Sequence, residues 1–163
     1  MIEMIKVSFP YGKKAPLFNG LDWQLHPGTI YGLLGRNGAG KTTLLKLIGG
    51  LLFRSGGSIT VLGEDPERRQ PAMQEQMLFI PEELPSPPMT IGTYESIYKG
   101  LYPNFDGAEF TRYLAEFELD RDAKMGEISF GQRKKALLAF GLAAHTRVLV
   151  LDEPTNALDI PSK

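Results

Sequence analysis

The sequence has no cysteine among its 163 residues, so it can form neither disulfides nor thiolate metal sites. Its 18 basic and 19 acidic side chains nearly cancel, and this balance indicates no nucleic-acid partner. No apolar run reaches the ~20 residues of a membrane span, and no signal peptide is recognisable. The hydrophobic fraction of 42% is enough for a buried core. We therefore expect a soluble, cytoplasmic chain that forms one domain over residues 1–163.

One glycine-rich stretch fits the phosphate-loop pattern G-x-x-x-x-G-K-[ST]. Glycine backbones reach left-handed conformations and approach a ligand closely, and the following helix directs its positive end at an anion. The lysine would reach the β- and γ-phosphates of a nucleotide, and the hydroxyl after it would bind Mg²⁺. A plain glycine turn capped by lysine is the alternative. The stretch consists of Gly35, Arg36, Asn37, Gly38, Ala39, Gly40, Lys41, Thr42 and Thr43.

The segments on both sides of this stretch are apolar. Residues 29–34 predict a buried strand that enters the loop, in a sheet covered on both faces. The spacing of the leucines after the loop predicts a helix that leaves it. The apolar positions of that helix are Leu44, Leu45, Leu47, Ile48, Leu51 and Leu52.

Alternating and continuous apolar patterns predict the other elements. Ile5, Val7 and Phe9 alternate with polar residues, as do Leu21, Trp23 and Leu25, which favours an antiparallel sheet. Asp65 and Pro66 predict the start of a helix over residues 66–75. Further strands are predicted at 59–62, 77–80 and 148–151, and helices at 90–101, 108–117 and 131–145. Four prolines within 81–88 exclude regular structure there, so residues from about 82 to 130 are predicted as a helical insert.

Two adjacent carboxylates, Asp152 and Glu153, follow the last of these strands. Ligands of parallel sheets bind at the carboxyl ends of the strands, where the phosphate loop would also lie. Asp152 can hold Mg²⁺ in a phosphoryl-transfer site, and Glu153 can act as the base that polarises the attacking water. An ordinary strand-to-turn transition is the alternative interpretation.

Ser129 and Gly131 begin the helix that precedes this strand. Ser129 is a good N-cap, and Gly131 leaves backbone N–H groups accessible at the positive helix end. The pair therefore predicts either a simple cap or a second anion site.

These motifs together resemble the nucleotide-binding domain of ABC ATPases. Residues 35–42 match the Walker A loop, and residues 128–132 match a degenerate form of the LSGGQ signature. Residues 148–153 match the Walker B strand with its glutamate, and 156–159 match the D-loop. Tyr11 matches the aromatic residue that stacks on adenine, although a turn tyrosine packed on the sheet is an alternative. All four motifs follow the order of that family.

The resemblance implies an α/β fold: a P-loop NTPase core with a parallel sheet, an N-terminal antiparallel β-subdomain and a helical insert. It implies an ATPase that binds ATP and Mg²⁺ in a head-to-tail dimer, with Ser129, Gly131 and Gln132 contacting the ATP of the opposite subunit. It further implies a transmembrane permease as partner, which would hold the chain at the cytoplasmic face of a membrane. The transported substrate and the direction of transport are not encoded in this chain.

Three departures from the family pattern modify this expectation. Glu82 stands where the family has the Q-loop glutamine; its carboxylate can contact Mg²⁺ but cannot donate a hydrogen bond when ionised. Phe130 replaces a signature glycine. The sequence stops at Lys163, before the family's switch histidine, and both His26 and His145 precede the Walker B strand. We therefore expect a shortened or truncated domain.

Two alternatives to a hydrolysing transporter subunit stay open at the level of the sequence. The shortened chain could bind ATP and dimerise without hydrolysing it. It could also be a soluble ABC ATPase that does not work in transport, although one cassette with a short insert and no basic bias favours the transporter.

Overall fold

The computed structural model describes residues 1–10 and 16–155. The chain divides into two compact units, Met1–Gln74 and Glu75–Lys163. Tyr11 and the D-loop residues Asn156, Ala157, Leu158 and Asp159 lie outside the described residues.

The first unit is built on a three-stranded antiparallel sheet of order β2-β1-β3. Its strands are β1 (Ile2–Phe9), β2 (Phe18–Leu25) and β3 (Gly56–Val61). Ile2 pairs with Leu25 on one side and with Val61 on the other. The alternating patterns thus predicted the antiparallel sheet correctly.

A bulge at Lys6 changes which residues of β1 are buried. Lys6 lies at φ 51°, and the pairing register shifts between Met4 and Val7. Met4 and Val7 are both buried, whereas Ile5 is 48% exposed. The side chain of Asp22 holds the bulge, accepting from the Lys6 backbone N–H at 2.7 Å and from its ammonium at 2.5 Å. The bulge inserts one residue and so exchanges the two faces of the strand.

The helices of the first unit are shorter than their sequence patterns predict. Helix α1 (Lys41–Ile48) ends at Gly49 and Gly50, so Leu51 and Leu52 fall outside it. Asp65 caps a short 3₁₀ turn (Pro66–Arg68), accepting from the Glu67 N–H at 3.0 Å. The helix predicted at 66–75 is broken by Arg69, which lies at φ 48°, and α2 (Pro71–Gln74) follows as a single turn.

The strand predicted at 29–34 is absent from the structure. These residues are irregular, and Ile30 and Leu34 are 100% and 93% exposed. An apolar run favours burial, but a strand also requires a neighbour that completes its backbone hydrogen bonds. Among the described strands none pairs with this segment, so its apolar pattern has no ladder to join.

The second unit contains a parallel pair of strands, β4 (Met77–Ile80) and β5 (Val148–Leu151), both at the predicted positions. Met77 pairs with Val148 and Ile80 with Leu151. Helices α3 (Ile91–Tyr98), α4 (Gly107–Glu116) and α5 (Phe130–Ala143) accompany them, with a 3₁₀ turn at Lys99–Leu101. Residues 81–88 are irregular, as their prolines require.

Helix α5 packs on this sheet through Gly141, where a Cβ atom would lie 3.0 Å from Cδ1 of Ile80. Beside it, Phe140 is the centre of an aromatic cluster. Close packing of this kind tolerates little change of volume, so it fixes where α5 begins relative to the end of β5. The rings around Phe140 are those of Tyr94, Tyr102, Phe105 and Phe110.

Candidate nucleotide-binding site

The phosphate loop of the first unit is an exposed turn that leads directly into α1. Gly38 and Gly40 lie at φ 79° and 97°, a backbone conformation that other residues adopt at a cost. The N–H of Ala39 donates to the carbonyl of Arg36 at 3.1 Å, which closes the turn. Residues 35–39 are exposed, so the loop backbone is open to a ligand.

Lys41 is the first residue of α1, and its side chain lies across this loop. Its ammonium donates to the carbonyl of Gly35 at 2.9 Å and to that of Arg36 at 3.4 Å. Thr42 and Thr43 follow in the first helical turn and are half-buried. A cation, a glycine turn and a helix N-terminus together suit the phosphate groups of a nucleotide.

The carboxylate pair of the second unit ends β5 as the sequence predicts. Asp152 is only 3% exposed, and its backbone N–H donates to the carbonyl of Ile80 at 3.0 Å. Glu153 is half-buried and takes a left-handed conformation at φ 48°. That left-handed conformation ends the extended backbone directly after the strand.

Ser129 caps α5, as predicted, within a reciprocal capping box. The Ser129 hydroxyl accepts from the Gln132 N–H at 3.1 Å, and the Gln132 side chain accepts from the Ser129 N–H at 2.9 Å. Gly131 is half-buried in the first turn, and Phe130 is 39% exposed. The cap interpretation of Ser129 is therefore confirmed, and its second role as an anion contact stays a prediction.

Glu82 lies half-buried in the irregular proline segment that follows β4. The described residues contain no group of three or more His, Asp or Glu side chains that could hold a metal by themselves. Mg²⁺ commonly binds one or two protein ligands together with substrate phosphates, so the Mg²⁺ roles of Thr42, Asp152 and Glu82 stay predictions.

One buried side chain of the second unit was missed from the sequence. Lys134 is 0% exposed, and its ammonium donates to the backbone carbonyl of Glu153. The sequence contained a signal for this burial, because Lys134 stands three residues before Leu137 and seven before Gly141 on the apolar face of α5. Lysine is rarely fully buried, so the residue type alone predicts an exposed side chain at this position.

A glycine loop that begins a helix and a carboxylate pair that ends a parallel strand define the class of P-loop nucleotide-binding proteins. Comparison with known proteins identifies the family within that class. The chain belongs to the ABC transporter family, whose model, described as ABC transporter, matches residues 18–156.

Relatives in this family include proteins named for import and for export. A ribose import ATP-binding protein of Geobacillus kaustophilus is 32% identical over 97% of this chain and 34% of its own length. A Nod factor export ATP-binding protein of Burkholderia orbicola is 35% identical over 97% of this chain and 54% of its own length. The chain spans between 30% and 54% of the length of such curated relatives.

Solved structures share the fold. An ABC transporter ATP-binding protein of Pyrococcus furiosus, described as putative, is 30% identical with a TM-score of 0.81, over 97% of this chain and 78% of its own. A dimeric ATP-binding cassette described as bound to ADP and Pi matches over 98% of this chain and 76% of its own, with a TM-score of 0.82. At 21% identity this last match supports the fold alone. The α/β P-loop fold class predicted from the sequence is thus confirmed.

The part of the chain that the structure describes has no helix with the length and apolarity needed to cross a bilayer.

Proposed function

We propose that the chain is the ATP-binding and ATP-hydrolysing part of an ABC transporter. The observation that carries this proposal is the position of Lys41, whose ammonium lies over the phosphate loop at the start of α1. The proposal is also supported by the order of the Walker A, signature and Walker B motifs and by membership of the ABC transporter family.

Each motif has a proposed part in nucleotide binding. Lys41 and the backbone N–H groups of residues 35–43 hold the phosphates, and Tyr11 stacks on the adenine. Thr42 and Asp152 hold Mg²⁺, with Glu82 as a further contact. When bound, Mg²⁺ neutralises charge on the phosphate oxygens. We place the ATP on the cytoplasmic side of a membrane.

Glu153 is the proposed catalytic base. Its carboxylate accepts a hydrogen bond from the attacking water and orients the water toward the γ-phosphate. The adjacent Asp152 is more deeply buried than Glu153, which suits a metal contact for Asp152 and a solvent-facing role for Glu153.

Two copies of the chain are proposed to act together, with the start of α5 from one copy facing the ATP of the other. Ser129, Gly131 and Gln132 provide a hydroxyl, a small residue and an amide at the positive helix end, which suits contact with a phosphate anion. A transmembrane permease is the second proposed partner, which would bind the helical segments within residues 82–130. Relatives named for import and export support a transport role without indicating a direction.

The proposal is tested by Mg-ATP binding and phosphate release, each compared with Glu153→Gln. This substitution removes the base but keeps the size of the side chain. Glu118→Gln is a matched control, because Glu118 is also a glutamate in a left-handed conformation, at φ 56°.

The proposal would be supported if the chain binds Mg-ATP and releases phosphate. The release should be abolished by Glu153→Gln and preserved by Glu118→Gln. Binding without release would indicate a chain that only holds nucleotide. Absence of Mg-ATP binding would contradict the proposal.

A further inference from the structure

Lys134 links the start of α5 to the residue after the Walker B strand. It stands five residues after the cap Ser129, and its side chain is 0% exposed. The ammonium donates to the backbone carbonyl of Glu153 and lies 5.6 Å from the centre of the Phe130 ring. One buried cation therefore contacts both the signature segment and the backbone of the proposed base.

Burying an ammonium is unfavourable unless hydrogen bonds or other electrostatic partners compensate for its lost hydration. Here a carbonyl oxygen and the negative face of an aromatic ring contribute to that compensation. A methionine of similar length would fill the same space without carrying a charge. Volume alone therefore does not account for a lysine at this position.

The target of this hydrogen bond is itself conformationally strained. Glu153 is a non-glycine residue at φ 48°, a conformation that persists only where the surroundings impose it. The bond from Lys134 holds the Glu153 carbonyl, and the bond from the Asp152 N–H to Ile80 holds the residue before it. With the backbone held on both sides, the direction of the Glu153 side chain is restricted.

We propose that Lys134 is a positioning residue that holds Glu153 in its left-handed conformation and thereby directs its carboxylate at the attacking water. Through Phe130 the same ammonium makes this alignment dependent on the signature segment. The inference rests on the proposed function for its catalytic consequence, whereas the backbone restraint is a property of the chain itself.

The test compares Lys134→Met with Lys135→Met. Both residues lie on α5 and carry the same side chain, but Lys135 is only half-buried, and Lys134 is the one that contacts Glu153. We expect Lys134→Met to speed hydrogen exchange at the amides of Glu153 and Thr155 and to lower ATP turnover at least about tenfold, since small misplacements of catalytic groups are costly. ATP affinity should change less than about twofold, because Lys134 is not among the residues proposed to bind the nucleotide in the ground state.

Lys134→Arg, which keeps the charge and the donor, should restore part of the turnover and slow the exchange again. Phe130→Leu should lower turnover by a few-fold and should have no further effect in the Lys134→Met background. Because the Phe130 side chain is 39% exposed, Phe130→Leu should fold, and it keeps the proposal testable if Lys134→Met does not.

The proposal would be overturned if Lys134→Met had the same amide hydrogen exchange and the same ATP turnover as Lys135→Met. Additive effects of Phe130→Leu and Lys134→Met would overturn the link through Phe130. A wild-type chain that does not bind ATP would refute the proposed function, while the exchange comparison would still decide whether Lys134 restrains Glu153.

Discussion

The ammonium of Lys41 lies 2.9 Å from the carbonyl oxygen of Gly35, so the lysine that ends the phosphate loop contacts the residue that begins it. The loop is thereby closed by a charge-assisted hydrogen bond. An ammonium has three N–H donors, so a phosphate bound in the loop can share this cation with the carbonyl.

The first prediction concerns the charge at position 41. Lys41→Met should weaken ATP binding about 10- to 100-fold, since a hydrogen bond to a charged group is worth roughly 1.5–3 kcal/mol. Calorimetric titration of ATP measures the loss. Lys46→Met, on the same helix but near its C-terminal end, should bind ATP as the wild type does. Equal affinities for the two variants would contradict the role of Lys41.

The second prediction separates the two roles of Ser129. Ser129→Asp should keep the cap of α5, since aspartate accepts the same N–H bond, and the melting temperature should stay near that of the wild type. The added carboxylate should repel the phosphates of an ATP held by a second copy, so ATP-dependent dimerisation should be lost. Light scattering with and without ATP measures it.

Ser129→Ala tests the cap by its effect on stability. It removes the cap and should cost about 1 kcal/mol of stability. ATP-dependent dimerisation of Ser129→Asp at the wild-type level would leave Ser129 as a cap alone.

The third prediction uses a tight backbone contact. Gly50 lies at φ 65° after α1, and a Cβ atom there would overlap the carbonyl of Pro66. Gly50→Ala should lower the free energy of unfolding by roughly 3–4 kcal/mol, combining left-handed strain with a steric overlap that the backbone cannot easily relieve. Urea denaturation measures the change.

Gly63→Ala is the matched control, because Gly63 lies at φ 90° and a Cβ atom added there would meet nothing within 4 Å. This substitution should lower the free energy of unfolding by about 1–2 kcal/mol, because it adds only the left-handed strain. Equal costs for the two variants would show that the Pro66 contact does not restrict residue 50.

The fourth prediction concerns acid stability. The Arg54 guanidinium, which donates to both carboxylate oxygens of Asp65 at 3.1 and 2.8 Å, lowers the pKa of Asp65 below its ordinary value. This stabilisation is present above the unfolded pKa of about 3.9 and is lost as the pH falls through the lower folded pKa. Asp65→Asn keeps the cap but removes the charge, so its stability should fall less between pH 4 and 2 than that of the wild type.

Asp22→Asn provides the comparison. Its partner Lys6 also lowers the pKa of Asp22, but the side chains of this pair are 72% and 52% exposed, so solvent screens their interaction. The acid stability curve of Asp22→Asn should therefore stay closer to the wild type. Denaturation at a series of pH values measures both variants, and identical curves for Asp65→Asn and wild type would refute the contribution of the Arg54 pair.

Much of the fold could be predicted because local signals and tertiary packing agree there. Strands β4 and β5 are continuous apolar runs with polar or proline boundaries, and both lie where their patterns indicate. Asp65 and Ser129 act as caps because their side chains bond to backbone groups two or three residues away. Interactions between residues so close in the chain can be predicted from the local sequence.

The predictions of secondary structure are wrong where contacts with distant parts of the chain determine the local conformation. Residues 29–34 have the composition of a buried strand but have no ladder partner among the described strands. The bulge at Lys6 depends on Asp22 in the neighbouring strand, so periodicity within β1 could not reveal it. Arg69 breaks the predicted helix and donates to the carbonyl of Gly50, again outside its own segment.

The candidate site divides in the same way. The sequence pattern predicts the phosphate loop and the carboxylate pair because their proposed chemistry depends on fixed local spacing. Lys134 was missed because its significance depends on a contact with Glu153, which lies in another element.

The pairing of β4 with β5 has a consequence for the synthesis of the chain. All of α3, α4 and α5 separate the two strands, so β4 leaves the ribosome before its partner exists. At 5–20 residues per second the interval of roughly 70 residues lasts several seconds. During this time the edge of β4 and its apolar Leu78 and Ile80 lack the neighbour that later pairs with them. Translation products that stop between the two strands would therefore present an unpaired apolar edge to chaperones and proteases.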